Sequence, residues 1–200
     1  MRKFALSTLA VFVFIIISLA LTYWSLKDNI HVVIPHQIYR SAQLSGPGFE
    51  TLIKSKHIRT ILNLRGPHPG EQWYDDEVLA SRKLGVRHVD LELHAYALPP
   101  AKKLRQLVYD LQHLPRPLLV HCMGGSDRTG LASAIALILN GDSLKIAKQQ
   151  YSPYYFVVKS KSIAKLVFPF YTDWLAQSNL PSNKQNFLKW VAQTNLKKRS

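Results

Sequence analysis

Cysteine is nearly absent from this chain: 200 residues hold one, Cys122. An internal disulfide framework is therefore excluded, and a thiol is left free. Acid is also scarce, with 12 Asp and Glu against 26 Lys and Arg, a net charge of +14. That balance implies attraction to anions, whether membrane surfaces, nucleic acid or phosphorylated molecules. The aromatic residues are not interleaved with the basic ones in a repeating way, so no nucleic-acid partner is expected. The chain has no internal repeat and no low-complexity segment. No group of His, Cys and carboxylate stands at ligand spacing, so neither a metal nor a cofactor is expected. The scattered His31, His36, His57, His68, His88, His94 and His113 are expected at the surface instead.

What the chain does have is one long apolar run. Met1-Arg2-Lys3 precedes an uncharged stretch from Phe4 to Trp24, interrupted only by small polar residues such as Ser7 and Thr8. At about 1.5 Å per residue such a helix crosses a bilayer core of about 30 Å. It lacks the polar face that a helix packed on a soluble core would show. Residues 1–27 are thus expected to be a membrane anchor, with a cleaved signal segment ending near Ser18-Leu19-Ala20 as the alternative. Tyr23 and Trp24 suit the membrane interface, and Arg2 and Lys3 lean the N-terminus towards the cytoplasm. The remainder is then expected outside the cytoplasm, in the periplasm of a bacterium, on a single-pass anchor.

Beyond the run, 28–180 reads as one domain and 181–200 as a C-terminal helix with a basic tail. Residues 28–48 form a lead-in holding a short strand at 37–40. A helix over 49–56, a strand over 58–64 and a helix over 71–84 follow, the last stopped by Gly85. Residues 86–93 alternate, with Val89, Leu91 and Leu93 on one face. Pro99-Pro100 opens a helix with apolar residues three or four apart from Leu104 to Leu114. Asp142 is expected to cap a helix reaching Tyr151. Two more helices are predicted over 162–177 and 183–196, the second with a Ser182/Gln185 capping box. Asp75, Asp76 and Glu77 read as a solvated first turn complementing a helix dipole. Strands alternating with helices predict an α/β fold, with helices on both faces of a mostly parallel sheet and a ligand site at the carboxyl ends of its strands.

One stretch of this pattern carries chemistry. Leu118-Leu119-Val120 reads as a buried strand, Cys122 as the first residue of a tight loop with Gly124 and Gly125, and Arg128 as the start of a helix reaching Leu139. A loop turned back on itself before a helix aims several N–H groups inward, and the helix dipole adds to them. Arg128 can close that cradle with a fork matched to two phosphate oxygens. The same field favours a thiolate, so Cys122 is expected to be nucleophilic at neutral pH. Thr129 can offer its hydroxyl to the sulfur, and His121 can fix the loop from behind.

His121-Cys122, five residues, then Arg128-Thr129-Gly130 resembles the signature of the cysteine-dependent protein tyrosine and dual-specificity phosphatases. The Gly-Ser-Asp-Arg-Thr-Gly ending is most similar to their compact bacterial and inositide-type branch. Tyr39-Arg40-Ser41-Ala42-Gln43 and Asn63-Leu64-Arg65-Gly66 extend the likeness over most of 36–175. The resemblance implies a phosphomonoester hydrolase with a phosphocysteine intermediate, acting on protein, lipid, inositide or glycan phosphates. The alternative is an inactive anion-binding module. It also implies catalytic Cys122, Arg128 and Asp127, phosphate binding by Met123, Gly124, Gly125, Ser126 and Arg128, and support from His121, Thr129 and Gly130. Relatives supply a general acid from a loop upstream, but here that loop, residues 94–99, has no carboxylate. Asp127 is the first candidate, followed by Asp90, Glu92 and His94. Arg40 and Arg65 are further candidates to line the pocket.

Overall fold

A computed structural model describes residues 12–16 and 27–196. Two short strands come first, β1 (His31–Ile34) and β2 (Ile38–Ser41), paired antiparallel. Then follow α1 (Gly46–Lys56), β3 (Thr60–Asn63), α2 (Gln72–Lys83), β4 (Arg87–Asp90), α3 (Ala101–His113), β5 (Leu118–His121) and α4 (Asp127–Asn140). A short α5 (Leu144–Gln149) and a 3₁₀ turn (Pro153–Tyr155) lead to α6 (Ile163–Ser178) and α7 (Lys184–Gln193). The sheet order is β1-β2-β5-β3-β4, and every pair except β1–β2 is parallel.

Both faces of the sheet are covered, as its sequence pattern requires. The central strands are apolar at successive positions, which suits a parallel strand buried on two sides. Ile38, Leu62, Leu118 and Val120 join the larger core with α3, α4, α6 and α7. Tyr39, Ile61 and Leu119 face the other way, onto Phe49, Leu52 and Ile53 of α1 and Ala80 of α2. Helix α4, which follows the cysteine, is buried over nearly its whole length from Thr129 to Leu139. Its N-terminus is therefore fixed by core packing, not by a surface cap.

The mostly parallel sheet flanked by helices is as expected, with local differences. β1 was not foreseen, because residues 31–34 carry no clean alternation. Asp142 does not cap α5; Ser143 does, its Oγ accepting from Ile146 N–H. Asn183 caps α7 by accepting from Asn186 N–H, while Ser182 Oγ meets Tyr171 Oη at 3.1 Å. The expected capping box is absent because that hydroxyl is engaged by α6. Glu77 is fully buried instead of solvated. Among the described residues no helix is long and apolar enough to cross a membrane. The anchor expected over 1–27 lies outside the described residues, apart from one helical stretch at 12–16 and the start of the domain at residue 27.

Candidate active site

Strand β5 runs between β2 and β3 at the centre of the sheet and delivers His121 and Cys122 to its carboxyl edge. The chain then curls through residues 123–126 and enters α4 at Asp127. The curl needs glycine at one point. Gly125 has φ +62°, and a Cβ there would stand 2.7 Å from Ser41 C, Ser41 O and Ala42 N. Any side chain at 125 would collide with backbone, which cannot swing aside.

The outer face of the loop is tied down. Gln43 N–H donates to Met123 O at 3.0 Å. Asn29 Nδ2 donates to both Gly124 O and Gly125 O at 3.0 Å, and Ser126 Oγ to Gly124 O at 3.0 Å. Arg40 NH2 donates to Gly125 O at 2.6 Å, and its NH1 donates to Gln150 O and Oε1, both at 2.8 Å. The Arg40 guanidinium lies 3.9 Å from the Tyr155 ring centroid and is fully buried. Burial pushes it down to about 10, against the opposing pull of Tyr155 and Cys122, so it keeps its charge at neutral pH. Arg40 therefore stands behind the loop instead of lining the pocket.

With the carbonyls turned outward, the amides turn the other way. Among the described residues no backbone N–H from Met123 to Arg128 donates to a protein acceptor. Arg128 NH1 makes only long contacts, to Leu64 O at 3.5 Å and Leu93 O at 3.4 Å. Its Nε is buried and has no hydrogen-bond partner among the described residues. A buried guanidinium N–H without an acceptor is costly unless an anion completes it. These groups surround a cavity of about 400 Å³ whose lining includes Cys122, Met123, Gly124, Ser126, Asp127 and Arg128. The Cys122 thiol is free and 3% exposed.

His121 turns away from the cavity. Its Nε2 lies 2.9 Å from Glu77 Oε1, and its ring meets Phe49 edge-on at 5.4 Å. Glu77 Oε1 also meets His88 Nε2 at 2.8 Å, and Oε2 accepts from Gln43 Nε2 at 2.8 Å. Burial alone would raise the Glu77 carboxyl, but the His121 charge and the bonds from His121, His88 and Gln43 outweigh it and hold it down, at about 2. An ionised carboxylate only accepts, so both rings carry a proton on Nε2. Gln43 Oε1 accepts from Arg65 NH1 at 2.9 Å, and the Arg65 guanidinium stacks on Trp73 at 3.2 Å. Burial, then the Arg128 charge, push the Arg65 guanidinium below its ordinary value.

Of the expected site residues, Cys122, Met123, Gly124, Ser126, Asp127 and Arg128 line one cavity, and Gly125 lies outside its lining. Thr129 Oγ1 is a correction: it is buried without a hydrogen-bond partner and makes no bond to the sulfur. Gly130 N–H donates to Ser126 O at 2.6 Å, closing the first turn of α4, and a Cβ at Gly130 would stand 3.0 Å from Gln150 O. Of the acid candidates, Asp127 and His94 line the cavity. Asp90 is occupied elsewhere, accepting from Asn63 Nδ2 at 2.8 Å and Tyr74 Oη at 2.6 Å. Glu92 is exposed and lies outside the lining. Sequence reasoning missed Asn29 and Glu77. For Glu77 a signal existed, since it stands three and four residues before Ala80 and Ser81 and so shares their buried face of α2.

Comparison with known proteins gives the family and the fold. The model of the tyrosine phosphatase family matches residues 24–153, more than half of the sequence, so the chain belongs to that family. No curated protein sequence matches it. Among solved structures, the core catalytic domain of the PP-IP phosphatase Siw14 from S. cerevisiae, in complex with citrate, has a TM-score of 0.60 at 19% identity, covering 76% of this chain and 93% of that one. PTPMT1 in complex with PI(5)P has a TM-score of 0.53 at 17% identity, covering 76% and 99%. P. aeruginosa TpbA in complex with pTyr has a TM-score of 0.50 at 20% identity, covering 64% and 75%. At these identities the likeness is one of fold.

Proposed function

We propose that the protein hydrolyses phosphate monoesters with Cys122 as nucleophile. The observation that carries this reading is the run of unpaired N–H groups from Met123 to Arg128, joined by the orphaned Nε–H of Arg128, around the free thiol. In the first step the Cys122 thiolate attacks phosphorus in line. The P–O bond to the alcohol breaks, an S–P bond forms, and the leaving oxygen takes a proton. The loop amides and Arg128 stabilise charge on the equatorial oxygens. In the second step water attacks phosphorus, loses a proton, and releases phosphate and the thiolate. Neither step needs a metal or a cofactor.

Asp127 is assigned the proton transfers. It lines the cavity at the first residue of α4, and among the described residues its carboxyl takes part in no hydrogen bond or ion pair. His94 is less suited, because its Nδ1 accepts from Tyr96 N–H at 3.2 Å and protonating that nitrogen would break the contact. Met123, Gly124, Gly125 and Ser126 bind phosphate through their amides, and His121 and Gly130 support the loop.

We infer further that residues 1–27 anchor the enzyme in a membrane, with 28–180 as the phosphatase domain and 181–200 as a C-terminal helix and tail. The absence of charge from Phe4 to Trp24 supports this, and the charge bias at the N-terminus favours a catalytic domain outside the cytoplasm. Relatives of this fold carry names that span inositol pyrophosphate, a phosphoinositide and pTyr. The test is turnover of para-nitrophenyl phosphate by the full chain. Hydrolysis that disappears in Cys122→Ser supports the enzyme; phosphate binding without turnover by the unaltered protein would leave only an anion-binding module.

A further inference from the structure

Several exposed apolar side chains of the domain stand at the cavity, while others, such as Val32, Leu79 and Tyr109, lie elsewhere. Val158 is 72%, Met123 65% and Phe156 46% exposed, and all three line it, as does Tyr96. Tyr154, 70% exposed, stands two residues before Phe156. These residues come from three segments of the chain, so the rim is built by the fold and not by one apolar run. Apolar side chains exposed around a cavity mark a surface that meets something other than water.

The 154–158 segment is held rigidly in that pose. Val157 is fully buried, and Tyr155 lies against the Arg40 guanidinium, so the residues between and beside them are left outside. Phe156 also has φ +61°, the left-handed region that disfavours a bulky side chain. Asn or Gly would sit there at lower cost, so folding does not explain an exposed phenylalanine at this position. Beside it Lys159 places Nζ 4.4 Å from the Tyr96 ring centroid, and Lys161 is exposed.

The chain arrives at this same pole. Asn29 is bonded to the phosphate loop, and His31 contacts Tyr154 at 5.5 Å and Tyr155 at 5.0 Å between ring centroids. Trp24, at the end of the apolar run, is five positions before Asn29, a span of at most about 17 Å when fully extended. Within that run the described residues Phe12 to Ile16 are helical and all exposed. If the run anchors the chain as proposed above, a link this short holds the cavity near the bilayer surface.

We propose that the cavity mouth is a lipid-docking face. Met123, Tyr154, Phe156 and Val158 enter the interfacial layer of an anionic bilayer, and Lys159 and Lys161 meet its headgroups. The cavity then receives a phosphate monoester carried by a membrane lipid. The substrate part of this proposal rests on the phosphatase reading above; the docking part does not.

The test uses the full chain reconstituted in phosphatidylcholine–phosphatidylglycerol vesicles. An environment-sensitive fluorophore is attached in Cys122→Ser/Val158→Cys and, for comparison, in Cys122→Ser/Leu79→Cys, since Leu79 is exposed on α2 away from the cavity. Brominated lipids are expected to quench the label at 158 several-fold more than the label at 79. Equal quenching would overturn the docking face, whatever the enzyme does. The second arm compares hydrolysis of phosphatidic acid in the vesicle with hydrolysis of a soluble phosphotyrosyl peptide. Phe156→Asn/Val158→Ser, whose Asn suits the left-handed backbone, is expected to unfold at a temperature no lower than that of the unaltered protein. It is expected to lower the lipid-to-peptide ratio of kcat/KM about tenfold. An unchanged ratio, or a peptide preferred by the unaltered protein, would overturn the lipid substrate. Quenching at 158 without turnover of any ester would uphold the docking face and remove the phosphatase reading instead.

Discussion

The two sides of the 122–126 loop are built on opposite terms. Behind it, the carbonyls of Met123, Gly124 and Gly125 are held by Gln43, Asn29, Ser126 and Arg40. In front, the N–H groups from Met123 to Arg128 and the Nε of Arg128 have no protein partner among the described residues. The contrast shows how a fold stores the capacity to bind an anion. Saturating one side of a peptide loop leaves the other side's dipoles aligned and unfulfilled, so they need not reorganise when charge arrives. The same contrast separates rigidity from access: the back is buried and polar, the mouth exposed and apolar.

The predictions test this contrast from both sides. On the front, Arg128→Lys keeps a charge but loses the planar fork. It should lower kcat/KM for an aryl phosphate by about 10²–10³-fold, the range for removing a donor to developing charge. On the back, Arg40→Met should lower kcat by about 10–100-fold without Arg40 touching substrate, because a loop displaced by about 1 Å loses its aim. It should also cost about 1–3 kcal/mol in chemical denaturation, since the carbonyl of Gly125 loses its buried donor. A back-side variant that raised KM alone would show that the loop is not held from behind.

How much of this was legible in the sequence follows the same division. The front is contiguous: Cys122 to Arg128 lie within a strand, a loop and one helical turn, and residue types at fixed spacing disclosed them. The back is assembled across the fold. Arg40 reaches Gly125 over 85 residues, Asn29 reaches Gly124 over 95, and Glu77 reaches His121 over 44. No local pattern encodes such distances. Arg40 beside a loop read as a pocket residue, and Glu77 beside two aspartates read as solvated, because sequence gives the helix face but not what packs on it. β1 was missed for a related reason: an edge strand of four residues is defined by its partner, β2, more than by its own composition.

Two smaller effects sharpen the comparison. Asp127→Asn should slow an alkyl phosphate about 10²-fold or more, and an aryl phosphate with a stable leaving phenolate much less, in steady-state kinetics. A uniform loss across leaving groups would assign the acid elsewhere. Glu77 gives a pH dependence from the buried side. Its folded value of about 2 lies below its ordinary 4.5, so it stabilises the fold fully above about pH 4.5, and that stability is lost as pH falls towards 2. Glu77→Gln should therefore flatten the acid limb of a stability curve between those values, measured by chemical denaturation at successive pH.

The central claim is that Cys122 accepts the phosphoryl group at the mouth of this loop. Rapid acid quenching of the full chain during turnover of a radiolabelled aryl phosphate tests it most directly. A phosphoryl label is expected on the peptide containing Cys122 and absent in Cys122→Ser. Turnover that leaves no label there, or places it on another residue, would contradict it.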